Sequence, residues 1–163
     1  MNAAKYLAVL SFAIALGLAV FGSARAQDAF VGRWVLDPAS TKAAPGLAPT
    51  RATMEVTAEG GGSFQSVSEV GIGGVNARSE VTYWIDGLDY AVTSTPAQPG
   101  APAVTQSMER VSDTVYKSSI KAGGQVIATA LNELSSDGKT LTATTTGIGQ
   151  FAALSSTMVF HRQ

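Results

Sequence analysis

One stretch does most to restrict what this chain can fold into. Residues 75–85 alternate strictly, and Asp86-Gly87 follows at once. Val75, Ala77, Ser79, Val81, Tyr83 and Ile85 fall on one side, and Asn76, Arg78, Glu80, Thr82 and Trp84 on the other. A period of two marks a strand with a single core-facing side. Asp-Gly readily supplies the positive φ of a tight hairpin turn. The pattern recurs, and strands are expected over residues 31–36, 51–58, 63–70, 75–85, 90–95, 104–111, 115–121, 125–134, 140–146 and 154–161. In two of them the expected inward sets are Ala52, Met54, Val56 and Ala58, and Val126, Ala128, Ala130 and Leu134.

The connections are short turns, at glycines, at Asp-Gly or at Ser112-Asp113, with three exceptions. Residues 39–50, rich in alanine and proline, are long for a hairpin loop and have room for a helical turn. Residues 96–102 carry three prolines, which keep them out of any ladder. Residues 147–150 form a glycine-containing loop before the last strand. No segment alternates strands with long helices, so a doubly wound α/β fold is excluded. The reading is all-β: one antiparallel up-and-down meander of about 8–10 strands closed into a barrel, with a sandwich as the alternative. Closure removes the exposed edges that make a free sheet hazardous.

The N-terminal segment reads as an address. Lys5 lies in a short polar start, residues 7–21 are apolar, and Ala24-Arg25-Ala26 places small residues where a signal peptidase reads. That order is the signature of a secretory signal peptide over residues 1–26. The apolar run falls short of the roughly 20 residues that a spanning helix needs. Residues 27–163 are then one domain, expected to be secreted, periplasmic or extracellular. There are no cysteines, so this domain has no disulfides and no lipid-modified start. With 11 basic and 12 acidic residues and no basic run, the chain has no electrostatic footprint for nucleic acid or for anionic lipid. No later apolar run approaches membrane length.

Reactive side chains are scarce. His161 is the single histidine, too few for the usual zinc site, and no serine sits in a Gly-x-Ser-x-Gly setting. The glycine clusters at 60–62 and 71–74 lead into strands rather than helix N-termini, so they read as turns and not phosphate cradles. Glu55, Glu69, Glu80, Glu109 and Glu133 are expected on the solvated outer face. No catalytic residue, metal or cofactor is assigned. Small inward residues (Ala52, Ala77, Ser79, Val81, Ala128, Ala130) in a barrel of this size leave room for a small molecule. Met54, Tyr83, Tyr90, Met108 and Tyr116 are the candidates to line that space.

Phe30-x-Gly32-x-Trp34 on the first strand, with Arg162 just past the last, resembles the calycin pattern of lipocalins and fatty-acid-binding proteins. The resemblance implies that Trp34 plugs the closed end of the barrel and that Arg162 (or Arg33) packs across its ring. Gly32, Trp34 and Arg162 are thus the expected barrel-closure residues. Gly32-Arg33-Trp34-Val35-Leu36-Asp37, Ile85-Asp86-Gly87-Leu88-Asp89-Tyr90 and Asp137-Gly138-Lys139-Thr140-Leu141-Thr142 also resemble small secreted bacterial lipocalin-like domains. That likeness bears on fold more than on function; the Gly-x-Trp strand, the meander and the small interior residues together lead to the expectation of a non-catalytic, lipocalin-like barrel that binds a small apolar or amphipathic ligand. A second reading is a structural or interaction module of the cell envelope, working through an exposed patch of Ile72, Trp84, Leu88 and Phe151. A third is an isomerase or cyclase that uses an inward tyrosine or carboxylate.

Overall fold

The computed structural model describes residues 29–97 and 99–163, so the expected signal peptide lies outside the described residues. Eleven strands follow in chain order: β1 (Gly32–Leu36), β2 (Lys42–Ala43), β3 (Arg51–Ala58), β4 (Phe64–Ile72), β5 (Val75–Tyr83), β6 (Tyr90–Thr95), β7 (Val104–Ser112), β8 (Val115–Ala122), β9 (Gln125–Leu134), β10 (Thr140–Gly147) and β11 (Ser156–Arg162). Apart from β2, each strand pairs antiparallel with its sequence neighbours, and β11 returns to β1 through Trp34–Arg162, Val35–His161 and Leu36–Phe160. The result is a closed up-and-down barrel of ten full strands. The two-residue β2 extends the β1 side along the start of β11.

The alternation read from the sequence sets the inward face. Ala52, Met54 and Val56 on β3 are buried, as are Ala77, Ser79, Val81 and Tyr83 on β5, while their sequence neighbours are less enclosed. One end of the barrel collects Phe30, Trp34, Phe64, Tyr83, Tyr116, Leu141 and Phe160, all buried. Phe30 meets Tyr116 edge-on at 4.5 Å between ring centroids, a geometry that aromatic quadrupoles favour. This is the closed end. The opposite end is covered by the segment that carries buried Leu47, and by a 3-10 turn over Gly149–Leu154 that buries Leu154.

Several boundaries differ from the sequence expectation, each for a local reason. β5 stops at Tyr83 and leaves Trp84 and Ile85 outside the ladder. The Asp86 carboxylate accepts the Leu88 N–H at 2.9 Å and the Tyr90 hydroxyl at 2.6 Å, which shapes a wider turn than a two-residue hairpin. Ala58 is exposed, because β3 is leaving the barrel where it pairs with Phe64. Val126 is 40% exposed rather than inward. Ile120 pairs with Ala128 but Lys121 pairs with Val126, so Ile127 is an extra residue, a bulge that inverts the phase of the strand. Residues 39–50 hold β2 in place of a helical turn. The loop expected at 147–150 is the 3-10 turn, which delays the last strand to Ser156. That turn requires a glycine at 147, since a Cβ there would lie 2.0 Å from the Phe151 carbonyl oxygen.

Candidate ligand site inside the barrel

Gly32, Trp34 and Arg162 form one cluster at the closed end. Trp34 is fully buried and its indole Nε1–H donates to the Phe30 carbonyl at 2.9 Å. Arg162 is its direct cross-strand partner, with the guanidinium carbon 4.3 Å from the ring centroid. The same guanidinium donates to the carbonyls of Gly138 (2.8 Å), Val31 (2.7 Å) and Ala29. Gly32 makes room for it: a Cβ there would stand 2.8 Å from Nη1, and the φ of +142° disfavours any other residue.

Above this plug the inner wall turns small and polar. Inward positions carry Ser66 and Ser68 on β4, Ser79 on β5, Ser118 on β8, Asn132 on β9, Thr145 on β10 and Ser156 on β11, all buried. Ser66 Oγ, Ser118 Oγ, both amide atoms of Asn132, Thr145 Oγ1 and Ser156 Oγ have no hydrogen-bond partner among the described residues. Thr145 and Ser156 face each other across β10 and β11, and Asn132 lies one diagonal step from Ser118 across β8 and β9. Apart from Ser79, sequence reasoning missed these residues. The signal was present, because a polar residue at an inward position of an alternating strand has no reason to be there as plain core.

Of the lining candidates, Met54, Tyr83, Met108 and Tyr116 are fully buried on the inward side. Met108 Sδ accepts a hydrogen bond from the Gln106 amide at 3.2 Å. Tyr90 does not join them. It is half-buried, with its hydroxyl on Asp86 and its ring 5.5 Å from Trp84. Burial first, and then the hydrogen bond and charge of Asp86, push its phenol up to about 12.

Among the described residues, the concavities of the sheet include the following two. The larger, about 370 Å³, runs over the ends of β3–β6 and is walled by Arg51, Glu69, Asn76, Arg78, Thr95 and Pro96. A smaller one, about 90 Å³, involves Arg33, Glu55 and Val67. The exposed patch expected for an interaction module does not assemble, because Ile72 is buried in the barrel while Trp84 is 41% and Leu88 63% exposed. Glu55, Glu69, Glu109 and Glu133 are exposed, and Glu80 is half-buried against Arg78 at 2.9 Å. His161 is exposed, with Nε2 3.7 Å from Asp37 Oδ2.

This geometry can be set beside known proteins. The crystal structure of wild-type fluorescent protein UnaG is similar to the chain with a TM-score of 0.57 at 16% identity, covering 82% of this chain and 97% of UnaG. A Schistosoma mansoni fatty acid binding protein in complex with arachidonic acid is similar with a TM-score of 0.56 at 14% identity, covering 83% of this chain and 97% of that one. The fold shared with these structures is a closed up-and-down barrel of ten antiparallel strands. No protein-family model matches the sequence, and a search of curated proteins finds no match. Beyond the shared fold, the informative feature is the chemistry of the inner wall.

Proposed function

We propose that the protein is a secreted or periplasmic binding protein that holds a small apolar or amphipathic molecule inside the barrel, without catalysis. One observation carries this reading. Ser66, Ser118, Asn132, Thr145 and Ser156 present hydrogen-bonding groups to the interior with no protein partner. The large majority of buried side-chain polar groups in folded proteins have a partner, either protein or an ordered small molecule such as water, and each one left unpaired costs about 1–3 kcal/mol. A barrel that needed only a core would carry alanine, valine or leucine at these positions. An occupant that supplies partners accounts for the whole set, and the apolar remainder of the wall suits its body. The Schistosoma mansoni structure with arachidonic acid gives a precedent for such an occupant in this fold. The apolar leader followed by Ala24-Arg25-Ala26 supports export.

The test is the mass of the protein purified from the cells that make it, recorded first under native and then under denaturing conditions. A small-molecule mass that is lost on denaturation is expected. A protein that purifies bare and then takes up no compound from a lipid extract of the same cells would overturn the reading. N-terminal sequencing of the exported protein should begin just after Ala26.

A further inference from the structure

We infer that the interior selects an electrically neutral molecule, an apolar body with one or two hydroxyl, ester or amide groups, over an ionised fatty acid. This rests on the interior-site reading above and specifies its ligand. The motivating observation is that every buried polar side chain among the described residues is uncharged. An ionised carboxylate that enters the barrel gives up its hydration shell, and only a cation or a dense set of donors compensates for that loss.

The nearby cations are already engaged. Arg162 sits on Trp34 and on three backbone carbonyls at the closed end. Arg110 lies 5.2 Å from the Tyr116 ring centroid and pairs with Asp113 at 3.2 Å. At the other end Arg51 donates to Asn76 at 2.7 Å and Arg78 pairs with Glu80, both on the outer face.

What the wall offers instead is balanced. Serine and threonine hydroxyls rotate to donate or accept, and an asparagine amide does both at once. The facing pair Thr145 and Ser156 can grip a single ligand oxygen from two sides. The diagonal pair Ser118 and Asn132 can do the same on the opposite side of β9 and β10. A hydroxyl or an ester needs no more than this.

The experiment offers the delipidated full chain an equimolar mixture of lauryl alcohol, methyl laurate and laurate at neutral pH, and reads the complexes by native mass spectrometry. The alcohol and the ester are expected to outcompete laurate by about tenfold or more, since the chains are matched and only the desolvated charge differs. Laurate retained as well as the alcohol would overturn the neutral-ligand inference and leave the binding site intact. Retention of none of the three would overturn the interior site itself, and this inference with it.

Discussion

Trp34 and Arg162 are direct partners across the strand pair that closes the barrel, and the guanidinium carbon stands 4.3 Å from the indole centroid. Gly32 lies two residues before Trp34 on the same face, and the space above it is filled by Arg162 rather than by a side chain of its own. The Gly-x-Trp pattern is thereby given a cause: the glycine admits the arginine that covers the tryptophan. Arg162→Ala loses a cation–π contact and charge-assisted hydrogen bonds, and about 2–4 kcal/mol of unfolding free energy should go with them. Trp34→Ala should cost about 3–5 kcal/mol through the cavity it leaves. Urea titrations of both variants, with Arg162→Lys recovering only part of the loss, are the measurement.

Gly147→Ala should be among the more damaging small substitutions. Its Cβ would fall 2.0 Å from the Phe151 carbonyl oxygen, which belongs to the backbone and has no rotamer to escape by. The 3-10 turn over Gly149–Leu154 must shift and pull Leu154 from the barrel mouth. A loss of about 1–3 kcal/mol, the usual scale of overpacking, is expected in thermal unfolding.

Asn132→Leu should separate stability from binding. Both amide atoms of Asn132 are buried without partners, and leucine has a similar volume. Removing the unmet polar atoms should stabilise the empty protein by about 1–2 kcal/mol. It should also weaken retention of the native occupant. A variant less stable than the parent, with binding unchanged, would assign Asn132 a purely structural role.

The Asp86–Tyr90 pair makes a prediction at alkaline pH. Burial and Asp86 hold the Tyr90 phenol at about 12 in the folded state, above its ordinary value of about 10. Because the folded value is raised, the pair contributes fully below about pH 10, and the contribution is lost as pH climbs through the folded value. Absorbance titration should show a tyrosine step near 12 that Tyr90→Phe removes. The same variant should flatten the fall of Tm over that range.

The strands that could be read from sequence are those whose inward residues are apolar and whose outward ones are charged, β5 above all. β4 has a weak alternation because Ser66 and Ser68 occupy inward positions while Val67 is outward, which erases the hydropathy contrast. Those serines belong to the candidate site, so the feature that obscured the strand is the one that informs the function. Bulges escape a pattern of fixed period altogether: Ile127 shifts β9 by one residue, so strict alternation assigns Val126 to the inner face although it is exposed. Asn132 lay in phase between Ala130 and Leu134, and its inward position becomes evident once the closed ring defines an inside. The β2 strand depends on a partner more than a hundred residues away, which no local pattern reveals.

β6 meets β7 through Tyr90–Gln106 and Ala91–Thr105 alone, whereas β4 and β5 are in register at nine positions. Val92–Thr95 are therefore held by β5 on one side only. In mechanical terms the ring is a hoop with one thin link. Load or heat parts it there, and the hoop unrolls into a ribbon instead of breaking into pieces. The two selvedges so exposed, β6 and β7, are what another chain would knit onto, so self-association should start at this seam rather than between β4 and β5.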